Sequence, residues 1–290
     1  MILLPSKATK YEVENYLTDS FIYERFRLLM LNQFKWTGLD ELNIQERHLE
    51  SVLYDYGYAL FFEDKLNGKL CLPCCGAGKQ NVYGDYLRYR ATGFNYAYEV
   101  SAEESVLIEN NKLRMPTSRA VEFFAGRLYE LIRTMDVNVK QLKLQTIFTA
   151  TDKNVLTVKK IIDDIEANNW AIIVDNGLAV EEIVKAIPTG VKCLTAELTD
   201  RYNAIMNEAL TYFGINNSNT DKRERLITDE ANANNQLIDS CAQMFLESRE
   251  RACEEINKKF GLNLSVELRN KREEVQENVQ EPNSSPTPDE

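Results

Sequence analysis

Between two amphipathic helical stretches runs FGINNSNTDKRERLITDEANANNQ, Phe213 to Gln236. It is too polar to fill a core and too long for an ordinary connection, since unstructured links beyond about 12 to 15 residues are usually functional or disordered. The chain must therefore build a helical frame that carries this excursion somewhere useful, or leave it without structure. Both flanks favour a frame. TAELTDRYNAIMNEALTYFG sets Leu198, Tyr202, Ile205, Met206, Ala209 and Phe213 on one face and closes with Gly214, suited to a left-handed cap. NNQLIDSCAQMFLESRERACEEINKKFG does the same with Leu237, Cys241, Phe245, Ala252, Ile256 and Phe260, closing with Gly261.

The rest of the chain reads as α+β. A long helix is expected over 11 to 36, where Leu17, Phe21, Leu28, Leu29 and Phe34 fall near helical spacing without Gly or Pro. From about Leu53 to 115, LYDYGYALFF, KLCLPCC, NVYGDYLRYRATG and FNYAYEV read as short antiparallel strands, rich in Tyr, Val and Phe between Gly-containing breaks. A helix follows Pro116, capped by Thr117 or Ser118 and carrying Val121, Phe124, Ala125, Leu128, Leu131, Ile132 and Met135. LKLQTIFTA and WAIIVD read as strands around a helix VLTVKKIIDDIEANN, and this stretch ends near Pro188 and Gly190. LNLSVELR after Gly261 has the pattern of a strand. The tail from about 271 mixes charge with Pro and Ser and is expected to be disordered.

Charge and motif content narrow the function. A net charge of -11 argues against a broad basic face that wraps nucleic acid, though not against contact with DNA that must slide. No signal peptide or membrane span is read, which leaves a soluble, intracellular chain as the expectation and no membrane partner. Cys71, Cys74 and Cys75 lack the second ligand pair of a structural zinc site, and the only histidine, His48, is expected on the charged, helical surface of QERHLESV. CCGAGKQN, 74 to 81, fails as a phosphate loop at Pro73 and Gln80 and is expected to be a turn between strands. Asp163, Asp164 and Glu166 could hold a divalent metal as in a nuclease, but on an amphipathic pattern they suit a solvated face. No catalytic set, metal or cofactor is read. In the long connection, Lys222, Arg223 and Arg225 oppose Asp221, Glu224, Asp229 and Glu230, and many copies around an axis would stack these into rings of charge.

From Met206 to Arg269 the chain resembles the portal protein, also called upper collar or head-tail connector, of short-tailed phages of the phi-29 group. The pattern is met at Asn207, Glu208, Gly214, Ile215, Asn217, Asn219, Glu224, Arg225, Thr228, Asp229 and Glu230. It continues through Phe245, Leu246, Ser248, Arg249, Glu250, Ala252, Cys253, Glu254, Ile256, Asn257, Gly261, Leu262 and Asn263. Upstream the likeness is thinner but collinear, through YGYALFFED, VYGDYLRYRATG and MPTSRAVEFFAGRLYEL, and covers about 20 to 270.

The resemblance implies a ring of twelve subunits, with stem helices around a central channel, a β-rich, SH3-like wing outside and a small crown. It divides the chain into an N-terminal segment with the first stem helix (1–50), the β-rich wing (51–116), a stem helix (117–137), an α/β wing (138–194), a stem helix (195–214), the channel loop (215–234), a crown-side helix and strand (235–270) and an acidic tail (271–290). It implies double-stranded DNA in the channel, and as partners the capsid and scaffolding proteins, a lower collar or tail protein and a packaging ATPase. The location implied is the virion, at one capsid vertex, with the host cytoplasm during assembly. Lys222 and Arg223 match an adjacent basic pair of the channel loop, and Lys185 and Lys192 are further candidates for basic channel positions. The family's basic N-terminal arm is matched only by Lys7 and Lys10 against Glu12, Glu14 and Asp19, so a packaging RNA is a doubtful partner. The competing expectations are an adaptor or scaffold that does not touch DNA, and the metal-dependent nuclease.

Overall fold

The computed structural model describes residues 10–143, 146–149, 185–188, 190–217 and 228–269, with single helical positions at 156, 159, 160 and 163. The elements in chain order are helix α1 (Lys10–Leu31), strand β1 (Phe34–Thr37), helix α2 (Glu46–Tyr56), strands β2 (Tyr58–Asp64), β3 (Gly68–Leu72), β4 (Cys74–Gln80), β5 (Tyr86–Gly93), β6 (Tyr96–Ser101) and β7 (Ser105–Glu109), helix α3 (Ser118–Lys143), strands β8 (Thr146–Thr149) and β9 (Lys185–Pro188), helices α4 (Thr195–Tyr212) and α5 (Thr228–Phe260), and strand β10 (Ser265–Leu268).

Three helices share one core. Ile22, Phe26 and Met30 of α1 meet Val121, Phe124, Ala125 and Leu128 of α3, and Met206 and Ala209 of α4 close the cluster with Phe213 just beyond it. These are the helices expected near 11, 117 and 195. The first ends earlier than expected, at Leu31, because Phe34 and Trp36 leave the helical path to form β1, which pairs antiparallel with β10 from Phe34↔Leu268 to Thr37↔Ser265. The apolar face of α1 also differs from the expected one: Leu17, Phe21 and Leu28 point to solvent, and the buried stripe is Ile22, Phe26 and Met30.

The β-rich stretch forms two three-stranded antiparallel sheets, β3-β2-β7 and β4-β5-β6. Leu60 and Phe62 of the first sheet pack against Cys74, Tyr89, Ala91 and Val100 of the second. Its start is corrected at 53, because Leu53 belongs to α2, which runs to Tyr56 and closes on Gly57 at φ +86. The expected turn at CCGAGKQN is strand β4 instead. Its small residues let β5 lie close, and a Cβ on Gly76 would sit 2.1 Å from the Tyr86 ring. The register slips only between Ala77 and Gln80.

The opposite face of the first sheet, with Phe61, Val106 and Ile108, joins α2, β1, β10 and α5 in the largest core. At its centre Arg249 of α5, 2% exposed, meets Glu50 of α2 through Nε to Oε1 at 2.9 Å and Nη2 to Oε2 at 2.8 Å. Its other N–H groups reach the Asn110 carbonyl and Oδ1, both at 3.1 Å, and the Phe245 carbonyl at 3.0 Å. Trp36 Nε1 donates to Glu50 Oε1 at 2.8 Å, and the Phe34 ring lies 4.0 Å from the Arg249 guanidinium carbon.

Removing one partner of such a pair leaves a buried charge uncompensated. Arg249→Met is expected to lower stability by about 3–5 kcal/mol in urea denaturation followed by far-ultraviolet circular dichroism. Adding Glu50→Met should recover part of that loss, with the Trp36 indole then left without its acceptor.

Candidate functional site

The polar connection leaves α4 and returns through α5, and both ends are held. Past α4, Phe213 N donates to the Ala209 carbonyl, Gly214 N to Thr211 at 3.0 Å and Ile215 N to Leu210 at 2.8 Å, so the helix closes tightly. Gly214 sits at φ +68, and a Cβ there would lie 2.4 Å from the backbone nitrogen of Ala242 in α5. Only glycine meets both demands, because other L-residues are strained in the left-handed region and the neighbour is backbone. Asn217 then donates through Nδ2 to Thr211 Oγ1 at 2.9 Å and to the Asn207 carbonyl at 3.3 Å. Asn234 of α5 donates to Asn217 Oδ1 at 2.9 Å. The segment just past α4 is thus tied to the early turns of α5 by a side-chain hydrogen bond.

Lys222, Arg223, Arg225, Asp221 and Glu224 lie outside the described residues. Asp229 and Glu230 fall in the first turn of α5, which begins at Thr228 rather than near 235. Acidic residues in a first turn are favoured by the helix dipole, so their sequence positions also suit helix starting. Lys185 opens β9 opposite Thr149. Lys192 is exposed, and its carbonyl accepts from Asn138 Nδ2 at 2.9 Å, while Asn138 Oδ1 accepts from Leu194 N at 3.0 Å. Lys192 therefore sits just before α4 and the polar connection just after it. At 1.5 Å per residue the 18 residues of α4 separate them by about 27 Å.

Several residues of the portal-like pattern have structural duties. Gly214 and Asn217 shape the base of the connection, Arg249 holds the central core, and Asn257 accepts from Leu264 N at 2.7 Å and donates to its carbonyl at 2.8 Å. Sequence reasoning missed Glu50, Asn110 and Asn138, and of α2 it read only the helical stretch QERHLESV, giving Leu53 onward to strands. A signal for α2 existed in Leu49, Val52 and Leu53 ahead of Gly57; the buried polar partners had none.

Cys71 and Cys74 behave as core residues: burial raises the Cys71 pKa and pushes Cys74 to about 12. Cys75 and His48 are exposed. Among the described residues no cluster of His, Cys, Asp and Glu could hold a metal ion, and no helix is long and apolar enough to cross a membrane. Of the nuclease candidates, Asp163 is exposed, and Asp164 and Glu166 lie outside the described residues.

The arrangement of helices and paired sheets is similar to that in solved phage portals. The portal and tail of native bacteriophage P68 matches at 16% identity over 94% of this chain and 94% of that chain, with a TM-score of 0.50, which shows a shared fold. An HK97 family phage portal protein from Corynebacterium diphtheriae matches at 10% identity over 92% and 96% of the two chains, TM-score 0.47. The virion of a native gene transfer agent particle matches at 10% over 88% and 79%, TM-score 0.46. The fold is that of a portal-type protein, mixed in helix and sheet. The family described as Phage Connector (GP10) matches residues 10–273, and the chain belongs to it. Its function is that of a phage head-tail connector, or portal, in the virion.

The base of the connection should be sensitive to small changes. Gly214→Ala is expected to cost more than about 1 kcal/mol, because a Cβ meets both positive φ and the Ala242 backbone. Asn217→Ala should cost about 1 kcal/mol and speed amide hydrogen exchange over residues 228–236, with the rest of α5 unchanged.

Proposed function

We propose that the chain assembles as a ring of twelve subunits whose axial channel passes double-stranded DNA, and that the polar connection is the channel loop. The observation that carries this reading is the hydrogen bond between Asn217 and Asn234 where α4 and α5 meet, which brackets a stretch whose sequence holds three cationic and four anionic residues. In this reading α1, α3 and α4 are the stem, the two small sheets form an SH3-like wing, and α5 with β10 leads to the crown. The phi-29-like residue pattern from Met206 to Arg269 supports placing the chain in that group of short-tailed phages.

The charge suits transport rather than storage. With -11 per subunit the wall of a ring is mostly negative, and a few cationic positions bind phosphate weakly. Contacts to phosphate alone carry no sequence information, so DNA of any sequence passes equally. Strong binding would hold the duplex still. The energy for packaging is supplied by a separate ATPase, and capsid, scaffolding and lower collar or tail proteins complete the set of partners. The loop acts as a brake against backsliding, with Lys222, Arg223 and Arg225 touching phosphate and Asp221, Glu224, Asp229 and Glu230 limiting the hold. Lys185 and Lys192 form a second basic level. The ring assembles in the host cytoplasm and then occupies one capsid vertex.

Heads assembled with Lys222, Arg223 and Arg225 all changed to Ala are expected to fill but to lose DNA, measured as the genome retained per purified head. Retention equal to the parent would remove the brake. Native mass spectrometry of the parent should give about 400 kDa, twelve chains of 33.4 kDa.

A further inference from the structure

Helix α1 is apolar on two opposite sides. Ile22, Phe26 and Met30 face the helical core at steps of four, whereas Leu17, Phe21 and Leu28, exposed by 58%, 70% and 64%, line up with Glu24 at steps of four, three and four. At 100° per residue the centres of these stripes are about 180° apart. One side is covered by the chain's own α3 and α4, and the other is bare. A contiguous apolar area left bare by its own chain marks a place where a partner packs.

A second bare apolar area lies on other elements. Leu113, Met115, Tyr212, Met244 and Phe245 line an open cleft of about 330 Å³ where the start of α3, the end of α4 and α5 come together. Leu113, Met115, Tyr212 and Met244 are all exposed. Arg119 stands in the lining of this cleft, exposed and without an ion-pair partner among the described residues. On α1, Glu24 takes a hydrogen bond only from Ser20, at 3.3 Å, and likewise has no cationic partner among the described residues. The stripe and the cleft have opposite unpaired charges.

They also lie at one level. α1 runs antiparallel to α3, with Glu14 near Lys140 at one end. At the other end the Phe26 ring lies 5.7 Å from Phe213, the neighbour of Tyr212 in the cleft. The half of α1 that carries Phe21 to Leu28 is therefore level with the start of α3. Two different patches that fit each other make a head-to-tail contact, which closes into a ring when the rotation allows.

We infer that the α1 stripe of one subunit seats in the α3-α4-α5 cleft of the next copy, with Glu24 of one chain paired to Arg119 of the other. The occupant of the cleft is a second copy of this chain, and the inference rests on the ring reading above.

The test uses full-length chain in a Cys75→Ser, Cys193→Ser, Cys241→Ser background, the last because Cys241 lines the cleft itself. Copies carrying Glu24→Cys are mixed with copies carrying Arg119→Cys, assembled and oxidised. A disulfide-linked pair is expected in the mixture and in neither preparation alone. In parallel, Phe21→Asp with Leu28→Asp, both exposed within the subunit, should leave circular dichroism unchanged and shift the native mass from ring to single chain. Rings without the mixed cross-link, or a cross-link of Glu24→Cys copies to themselves, overturn this interface and leave the ring standing. Rings of unchanged mass from the double Asp variant overturn it as well. A parent chain that forms no ring, even with scaffolding and capsid protein, overturns the ring reading itself.

Discussion

Arg249 joins more of this molecule than any other buried polar group described. Its guanidinium spends all five N–H groups on Glu50, Asn110 and the Phe245 carbonyl, inside a core built from α2, β1, the first sheet and α5. A charge at that depth is tolerable only when every donor is met and the counter-charge is itself satisfied. Glu50 meets that condition through Arg249 and the Trp36 indole. The same node reaches the helices: Asn110 Nδ2 donates to Thr117 Oγ1 at 2.8 Å and to the Met115 carbonyl at 2.9 Å, directly ahead of α3. Helix α5, the sheets and α3 are thereby set in one geometry by directional bonds, on top of the non-directional burial that would tolerate several packings.

A second polar net reinforces the junction from outside. Arg114 bonds Glu109 at 2.8 Å and Asp85 at 2.9 Å, and Arg251 of α5 pairs with the same Glu109. These groups are partly or largely exposed, so solvent screening leaves each worth about 0–1 kcal/mol. Their value is placement. They tie the β4–β5 turn and the loop before α3 to the side of α5, while the buried node supplies the larger share of the cost of separating them.

How far the sequence alone could be read follows from which signals were local. Helices α3 and α4 have one apolar stripe each, and Gly214 and Gly261 mark the ends of α4 and α5 with positive φ as expected, at +68 and +65. Helix α1 defeats the same reasoning because two opposite stripes compete, and the one that looked like the core faces solvent. In α5, Leu237 is likewise exposed while Ile238, one residue along, is buried. β1 has four residues and is defined only by β10, more than two hundred positions away, so nothing local separates FKWT from the end of a helix. The cluster CCGAGKQ reads as a turn by composition, yet its small side chains are what allow Tyr86 to lie across the strand. Of the candidate site, the polar connection and its boundaries at Gly214 were legible, whereas the Asn217–Asn234 tie that closes its base depends on a fold-level encounter no spacing encodes.

In the proposed channel, the distance along α4 bears on how smoothly DNA can move. Lys192 and the polar connection lie at opposite ends of that helix, about 27 Å apart if it stood parallel to the axis and less if it tilts. A duplex carries one phosphate charge per roughly 1.7 Å of axis, so about sixteen phosphates span the length of α4. One helical turn of B-DNA advances roughly 34 Å. The length of α4 is thus less than one duplex turn, and in the proposed ring twelve copies of Lys192 around the axis would meet a strand at any rotation of the duplex. In that reading, weak cations repeated around the ring resist a slip without creating an angular position where the duplex would stop.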